Sequence, residues 1–455
     1  KCTTGPNGLS TDQDGGFIIN ENFKRISQKD DVFNRSFWDS RIKSDKTEEF
    51  YESYRKPLKE WRHVDGYHQK DFALRNAGWH VADFFAERLE SNDRREGFLD
   101  FLTAHRKGAS EKRLVDSPKE MASEIKKVAK LFGAELVGIT YFDERWVYNH
   151  KYSRQNEDEQ EMDLPEGLTS AIVVCHEMDH DLLETVPSAL SGTATGVGYS
   201  QDAVTLLAIS QYIKNLGYQA VASMNDTALS IPLAIKAGLG EYGRHGLLIT
   251  PELGPRLRIG KVFTDLPLAH DEPIRFGVKQ FCDVCRKCSD ACPPAAIPKG
   301  TPSDVTYNQS NILGINKWTV DGEKCFGFWA QQVTDCSICL RVCPYNRSYP
   351  LWINKIRHRL MGSFLRGLML RLDNFLGGGE RGGITARRLE NEGGTKGRNV
   401  GRKERRKGKE RKARKGKERK GRERKGKERK GKERKGTERT CRSARVRKSV
   451  RGRVV

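Results

Sequence analysis

The sequence predicts an α/β (α+β) protein with a core of mixed helices and strands, followed by a cysteine-rich domain and a disordered basic tail. Helix and strand patterns alternate over residues 116–270, which indicates a core that contains both. Eight of the eleven cysteines lie between residues 281 and 343, and residues 380–455 form a charged repeat. At 455 residues and 36% apolar content, the chain is long enough for two or three domains.

Five segments follow from these patterns. Residues 1–115 are polar, aromatic and charged, with helical spacing at 70–90, and we expect them to contribute to a pocket. The others are an α/β core at 116–274, a cysteine-rich domain at 275–350, a helical segment at 351–379 and a low-complexity tail at 380–455.

The core elements can be assigned in chain order. SPKEMASEIKKVAKLFG opens with the capping residue Ser117 and closes at Gly133, which predicts a helix. AELVGITYF and TSAIVVCHE are β-rich runs, and SQDAVTLLAISQYIKNLG predicts a helix that ends at Gly217 before the strand YQAVAS. We therefore expect three layers, with helices against a sheet.

A glycine-rich stretch, AIKAGLGEYGRHGLLIT, lies in the core, and Gly238, Gly240 and Gly243 spell G-x-G-x-x-G. That motif marks a dinucleotide site only when it follows a strand and opens a helix, whereas here a helical run precedes it and a strand follows. Because glycine lacks Cβ, the backbone could approach a large flat group closely, and a plain helix-to-strand turn is the alternative.

The cysteines of FCDVCRKCSDACPPAAIP are spaced C-x2-C-x2-C-x3-C-P, the run with which bacterial ferredoxins bind [4Fe–4S] clusters. In that pattern the fourth cysteine binds the other of two clusters, and DCSICLRVCPYN repeats the motif after Cys325. The predicted ligands are Cys282, Cys285, Cys288 and Cys343 for one cluster, and Cys325, Cys336, Cys339 and Cys292 for the other.

A zinc ribbon or a disulfide framework is the alternative for such cysteines, since paired CxxC units also bind zinc. A zinc site does not explain why the same pattern, three clustered cysteines with a remote fourth cysteine and a trailing proline, occurs twice. Cys2, Cys175 and Cys441 remain, and we interpret them as isolated thiols.

The tail carries all of the net charge. Residues 401–455 contain 29 Lys and Arg against 7 Glu, a difference of +22 that equals the charge of the whole chain. A repeat of the type KGKERKGKERK cannot bury enough apolar surface to fold, so we predict disorder. It could tether nucleic acid or anionic lipid, but an extension from a shifted reading frame is the favoured interpretation, and nucleic acid is not an expected partner.

No stretch has the ~18–20 uninterrupted apolar residues of a membrane span. WINKIRHRLMGSFLRGLMLRLDNFL (352–376) is amphipathic and basic, which is compatible with a helix lying on a surface, although a helix packed on the protein is the favoured interpretation. The sequence starts KCTTGPNG without a signal-peptide pattern, as a mature or truncated start would.

CHEMDHD (175–181) contains two histidines, a cysteine and three acids, which raises the question of a metal site. His176 and His180 would share a face of a helix. Because the segment follows a β-run, alternate residues face opposite sides, and we disfavour a metal there.

Both cysteine runs follow a core that contains GLGEYGRHGLLITPELGPRLRIGKVFTDLPL. With this combination, residues 60–350 resemble the reductive dehalogenases, the corrinoid and iron–sulfur enzymes of organohalide respiration. The resemblance implies a nitroreductase-like core around a base-off corrinoid of the cobalamin type. It also implies a C-terminal ferredoxin-like 2[4Fe–4S] domain that passes electrons to cobalt.

The resemblance also assigns site residues. The family's catalytic tyrosine, arginine and asparagine match Tyr199 in TATGVGYS, Arg258 in GPRLRIG and Asn225 in ASMND. Thr195 and Trp329 match residues that line the substrate pocket. Expected corrinoid contacts are Gly238, Gly240, Gly243, Arg244, His245 and Gly246, and candidates for an aromatic rim are Trp61, Tyr67 and Trp79.

The implied reaction, reductive cleavage of a carbon–halogen bond, takes two electrons and one proton. Cobalt in its doubly reduced state supplies electrons that no side chain can supply, and two clusters in series form a low-potential path to it. A tyrosine, with an ordinary pKa of about 10, stays protonated in an apolar cavity, and an adjacent Arg⁺ stabilises the phenolate. We therefore expect Tyr199 as the acid and Arg258 as its modulator, with Asn225 as a halogen anchor, an orienting group or a turn residue.

The family further implies a small organohalide substrate, a membrane anchor protein and a quinone-linked electron donor, and it leaves a homodimer open. It implies a location on the outer face of the cytoplasmic membrane after twin-arginine export, although this chain carries no such signal. Chlorinated ethenes, ethanes and aromatics all remain open as substrates.

Two other functions remain open. Epoxyqueuosine reductases combine a corrinoid with two clusters to modify tRNA, but that family has an Asp as the acid where this chain has Tyr199. An electron carrier built on the cysteine-rich domain alone would leave the α/β core unexplained.

Overall fold

The computed structural model describes residues 17–55, 64–90, 107–154 and 157–377. The helices are α1 (Val32–Trp38), α2 (Asp45–Arg55), α3 (Gln69–Glu90), α4 (Pro118–Leu131), α5 (His180–Glu184), α6 (Ala189–Asn215), α7 (Ser230–Lys236), α8 (Val278–Val284), α9 (Lys287–Asp290), α10 (Gly322–Gln332), α11 (Ile338–Val342), α12 (Leu351–Gly362) and α13 (Arg366–Phe375). Within these ranges, no helix combines the length and apolar character needed to cross a membrane. Trp61 and residues 378–455, which include the whole of the predicted tail, lie outside the described residues.

The strands are β1 (Ile18–Ile19), β2 (Leu136–Tyr141), β3 (His150–Tyr152), β4 (Glu159–Glu161), β5 (Ser170–Glu177), β6 (Ala220–Ser223), β7 (Glu241–Tyr242), β8 (Leu248–Ile249), β9 (Leu257–Thr264) and β10 (Ile315–Asn316). Four of them form the central sheet in the order β2-β5-β9-β6, and every neighbouring pair is antiparallel. The core is therefore mixed helix and strand, as predicted. The runs AELVGITYF and YQAVAS form strands β2 and β6, and SPKEMASEIKKVAKLFG forms helix α4, where their sequence patterns predict them.

Helices cover both faces of the central sheet. On one face Gly260 lets α6 approach closely, because a Cβ there would lie 2.6 Å from Leu206 Cδ1. On the other face Gly138 lies against the end of α7, where a Cβ would come within 2.2 Å of the Ala237 carbonyl oxygen. Strand β5 is buried at seven of its eight residues, which explains its continuous apolar run. The expected three layers are present.

Helix α6 begins earlier than its sequence pattern indicates. Its N-cap is Ser188, whose side chain accepts from the Ser191 N–H, and the helix continues to Asn215. The prediction placed the start at Ser200 and was wrong there, because the glycines of SGTATGVGYS lower helix propensity. Tertiary packing overrides that preference, since α3 and β9 lie against this part of α6.

The cysteine-rich domain consists of the short helices α8 to α11 and their connections. The amphipathic segment after it folds as two helices, α12 and α13, and both contact α8. The side chains of Asn354, His358 and Met361 are buried on the inner side of α12. This segment thus packs on the protein, as the favoured interpretation has it.

Candidate active site and cysteine cluster sites

Tyr199 lies in the middle of α6, with the indole of Trp79 stacked on its ring. The ring centroids are 4.9 Å apart and the planes are 30° apart. Gly196 makes room for this indole, because a Cβ there would lie 2.3 Å from Trp79 Cδ1. The small residues that weaken α6 as a helix therefore allow α3 to carry Trp79 against Tyr199.

Two donors converge on the phenolic oxygen of Tyr199. Asn225 Nδ2 makes a short hydrogen bond to it, and Arg258 Nη1 lies 3.4 Å from it. The Arg258 guanidinium carbon is also 4.9 Å from the centre of the Tyr199 ring. Both donors stabilise negative charge on that oxygen, so the geometry favours loss of the tyrosine proton to a bound acceptor. The structure brings together the three residues that the family resemblance assigns to catalysis.

Arg258 reaches this position from strand β9. It pairs with His176 of β5, and Gly198 of α6 gives it room, because a Cβ on Gly198 would lie 2.7 Å from Arg258 Cγ. Arg258 Nε is buried and has no hydrogen-bond partner in the described part of the chain. The guanidinium is thus held against Tyr199 by packing and retains one unused donor.

Asn225 lies on the loop between β6 and α7, and a buried lysine holds that loop. Lys261, which is fully buried, donates to the Met224 carbonyl in a short contact and to Ser230 Oγ at 3.0 Å. Asp226 Oδ1 accepts from the Met224 N–H at 2.7 Å. Burial lowers the pKa of Lys261 to about 8. Sequence reasoning missed this lysine, although a Lys inside the apolar run RIGKVFT was a usable signal.

The two predicted pocket residues have different positions. Thr195 is buried, and its hydroxyl donates to Asp335 Oδ2 at 2.7 Å and lies 3.4 Å from Arg258 Nη2. It therefore supports Arg258 through a hydrogen bond. Trp329 packs among aromatic rings of the N-terminal helices, with Phe33 at 5.6 Å and Phe50 at 6.5 Å between ring centroids.

Of Tyr67 and Trp79, the two aromatic-rim candidates that the structure describes, Trp79 contacts Tyr199. Tyr67 lies elsewhere, and its hydroxyl donates to Gln332 Oε1 at 2.9 Å. Trp79 Nε1 is a buried donor with no acceptor within the ranges described.

The cysteines form two groups. Cys282, Cys285, Cys288 and Cys343, here called the first cysteine group, are all buried and line one space. His245 and Tyr345 line the same space. Folding therefore brings Cys343 to three cysteines that precede it by more than fifty residues, as crossed ligation requires.

Cys292, Cys325, Cys336 and Cys339 are the second cysteine group. All four are half-buried, and the thiols interact with one another electrostatically. Burial raises the pKa of Cys325 to about 12 and that of Cys336 to about 11, with smaller contributions from the neighbouring thiols. Such thiols ionise at neutral pH only when a cation binds them.

Comparisons with known proteins agree with this arrangement. The family model described as "4Fe-4S double cluster binding domain" matches residues 281–346, which contain both cysteine groups. The tetrachloroethene reductive dehalogenase of Desulfitobacterium hafniense is 38% identical over 271 residues, which are 51% of this chain and 49% of the relative. That of Sulfurospirillum multivorans is 32% identical over 295 residues, 59% of each.

This chain is a homologue of the reductive dehalogenases. It spans about half the length of these two curated dehalogenases, 49% of one and 59% of the other. A solved catabolic reductive dehalogenase shares its fold, with a TM-score of 0.62 at 21% identity, covering 84% of this chain and 49% of that one. The epoxyqueuosine reductase of Vibrio cholerae matches a smaller part, 31% identical over 158 residues, or 33% of this chain and 39% of that protein.

The first cysteine group fits a cluster of the kind that the matched family model describes better than it fits a single ion. A zinc ion needs four ligands converging within about 2.3 Å. Among the described residues, no three His, Cys, Asp or Glu side chains come together closely enough for one ion. Four thiols that line one pocket without converging on a single point instead suit a larger inorganic group.

The glycine-rich segment packs closely against other parts of its own chain. A Cβ on Gly240 would lie 2.2 Å from the Ile249 carbonyl oxygen, and one on Gly238 would lie 2.5 Å from that of Glu272. Gly246 has a positive φ of 80° and faces Val320, while Arg244 donates to backbone carbonyls of the cysteine-rich domain. These contacts account for glycine at positions 238, 240 and 246, and the expected corrinoid contacts of the segment stay a prediction.

A corrinoid fits the Tyr199 side better. Tyr199 is half-buried and Asn225 exposed, so this side is open, and the buried donors Arg258 Nε and Trp79 Nε1 lack acceptors within the described ranges. A bound group with polar substituents would satisfy them.

His176 and His180 do not form a metal site. His176 is buried at the end of β5, where Nδ1 lies 2.6 Å from Asp202 Oδ1 and Nε2 lies 3.1 Å from Thr205 Oγ1. His180 begins α5 and lies beside Asp181 and Glu184. The two imidazoles thus belong to different elements, because strand β5 ends at Glu177 and His180 lies in α5.

Proposed function

We propose that this protein is an oxidoreductase that removes halide from a small organohalide, using a corrinoid and two [4Fe–4S] clusters. The observation that carries the proposal is the hydroxyl of Tyr199, which receives hydrogen bonds from Asn225 and Arg258 in a chain that also holds two groups of four cysteines. The similarity to tetrachloroethene reductive dehalogenases supports the substrate class.

The reaction balances as R–X + 2e⁻ + H⁺ → R–H + X⁻, in which the carbon–halogen bond breaks and a carbon–hydrogen bond forms. When bound, the corrinoid supplies the two electrons from cobalt in its doubly reduced state. Tyr199 gives its phenolic proton to the carbon that loses halide, and its oxygen is left as phenolate.

Arg258 and Asn225 stabilise that phenolate. A guanidinium and an amide N–H already directed at the oxygen need no rearrangement when charge develops there. Asn225 holds the hydroxyl in place, and Lys261 and Asp226 fix the loop that carries Asn225. Trp79 covers one face of the tyrosine ring and limits the directions from which substrate approaches.

We assign the first cysteine group to one [4Fe–4S] cluster and the second to the other. The second group lies on the side of the active site, because Asp335, which precedes Cys336, accepts from Thr195 beside Arg258. Electrons would reach the cobalt through both clusters in series. We infer from the family a quinone-linked donor and a membrane anchor protein at the outer face of the cytoplasmic membrane, and a homodimer.

The test is chloride release from a panel of chlorinated ethenes, ethanes and phenols by protein reconstituted anaerobically with iron, sulfide and corrinoid. Tyr199→Phe should lower the turnover number by about 10²–10⁴, the usual contribution of a positioned acid, with iron, sulfide and cobalt contents unchanged. Tyr212→Phe is the matched control, since Tyr212 lies on the same helix but donates to Glu124 in a short hydrogen bond. Full turnover by Tyr199→Phe would contradict the proposal.

The similarity to epoxyqueuosine reductases makes tRNA modification the second candidate. The same reconstituted protein should therefore be incubated with epoxyqueuosine-containing tRNA. Formation of queuosine without chloride release would replace the dehalogenase assignment.

A further inference from the structure

The side chain of His245 has a defined orientation of its ring nitrogens. Its Nδ1 accepts a hydrogen bond from the Leu247 backbone N–H at 3.3 Å. A nitrogen that accepts carries no proton, so the proton of the neutral ring is on Nε2. The Nε2–H group is present in both the neutral and the protonated ring.

That Nε2–H has no partner in the described part of the chain. Nε2 is buried, His245 is 5% exposed, and the side chain lines the space enclosed by the first cysteine group. A buried N–H without an acceptor costs about 1–3 kcal/mol, and such groups are rare in folded proteins. An acceptor inside the space would remove that cost, and the sulfur atoms of a cluster are acceptors.

The residues on either side of His245 hold its ring in the space that the first cysteine group lines. Arg244 is buried and donates to the carbonyls of Cys282, Cys285, Pro298 and Gly300 at 2.7–3.1 Å. These bonds tie the segment to the loop that carries the first three cysteines. On the other side, a Cβ on Gly243 would lie 2.9 Å from His245 Cε1, so glycine is required for this ring position.

We propose that His245 donates an N–H···S hydrogen bond from Nε2 to the [4Fe–4S] cluster of the first cysteine group and raises the reduction potential of that cluster. Reduction adds an electron to an anionic cluster, and a hydrogen bond to its sulfur atoms stabilises the added charge. The glycine-rich segment of the core thereby raises the reduction potential of a cluster in the cysteine-rich domain. The proposal rests on the proposed function in one respect, the presence of that cluster.

The experiment is a redox titration of the anaerobic reconstituted protein, followed by electron paramagnetic resonance. The signal of the first cluster is identified as the one that persists in Cys336→Ser. His245→Phe keeps a ring but removes the donor, and it should shift the first cluster at least tenfold toward the oxidised form. For a one-electron couple this is a potential lower by 59 mV. His245→Gln keeps an N–H and should shift it less, while the second cluster stays unchanged in both variants.

His358→Phe is the matched control. His358 is also buried with both ring nitrogens unpartnered in the described chain, and its ring lies 4.9 Å from that of Tyr345, which lines the same space. His358 does not line that space itself. An equal shift in His358→Phe, an equal shift of both clusters, or no shift in His245→Phe would overturn the proposal.

A second measurement covers the case in which His245→Phe fails to assemble its cluster. Protein labelled with ¹⁵N-histidine should give a nitrogen coupling to the reduced first cluster by pulsed electron paramagnetic resonance. The coupling should persist in His358→Phe and disappear in His245→Gln, and its absence from the unsubstituted protein would overturn the proposal. Protein that takes up no cluster overturns the proposed function and this inference together. If the protein holds its clusters and shows the coupling but does not dehalogenate, only the proposed function is contradicted.

Discussion

The Tyr199 site and the first cysteine group differ in both construction and exposure. Tyr199, Asn225 and Arg258 come from a helix, a loop and a strand, and the site is open, with Tyr199 half-buried and Asn225 exposed. The first cysteine group is buried, and three of its four members come from one short run. A proton donor must be recharged from solvent, whereas electron transfer benefits from a low-dielectric site that excludes water.

The largest effect that tests this contrast is expected at the cysteines. Cys336→Ser should lower the iron content from about eight to about four atoms per chain, because one of two [4Fe–4S] clusters loses a ligand. Turnover should disappear, since the electron path is broken. Iron analysis and chloride release measure both effects.

Cys175→Ser is the control for that substitution. Cys175 is fully buried in strand β5 and belongs to neither cysteine group. Its variant should keep all of the iron. If Cys336→Ser retained two clusters, the ligand assignment would be wrong.

Arg258→Gln should lower the turnover number by about 10²-fold, as is usual when one donor to a developing oxyanion is removed. Iron content should not change, and Arg258→Lys should recover part of the activity because it keeps the charge. Arg256→Gln is the control, since Arg256 pairs with Glu177 at 2.6 Å, away from Tyr199. A larger loss in Arg256→Gln than in Arg258→Gln would contradict the assigned role.

Lys261→Met should change how stability depends on pH. The pKa of Lys261 is about 8 in the fold and about 10.4 in an unfolded chain. Between these values the unfolded state binds more protons, so the unsubstituted protein gains stability as pH rises. From pH 7.5 to 9.5 the gain should be about 2 kcal/mol, and the variant should lack it.

Anaerobic urea unfolding at the two pH values measures this difference. Parallel curves for the two proteins would mean that Lys261 is charged in the fold at both pH values. Loss of turnover in Lys261→Met at pH 7.5, with iron retained, would connect the lysine to the position of Asn225.

The smallest effect is expected for Thr195→Val, which removes one hydrogen bond to Asp335 and one weak contact with Arg258. Such a loss is about 1 kcal/mol, or roughly fivefold in turnover number. Thr193→Val on the same helix is the control, because Thr193 Oγ1 is buried without a partner in the described chain. Equal effects of the two substitutions would show that the hydroxyl of Thr195 has no special role.

Local sequence signals determined much of this protein. The cysteine spacing identified the iron–sulfur domain, the cap at Ser117 and the glycine at position 133 bounded a helix, and the apolar run at 170–177 was a buried strand. Each of these signals lies within a few residues of what it predicts. The start of α6 was missed because glycines needed for contacts with α3 and β9 lower the local helix propensity.

Only the tertiary structure decided the partners of the polar groups. Asn225 meets Tyr199 from 26 residues away, Arg258 from 59, and Asp335 meets Thr195 from 140. The glycine-rich segment packs on its own chain and places His245 in the space that the first cysteine group lines. Periodicity and spacing describe neighbours along the chain, while these contacts depend on how helices and sheet pack.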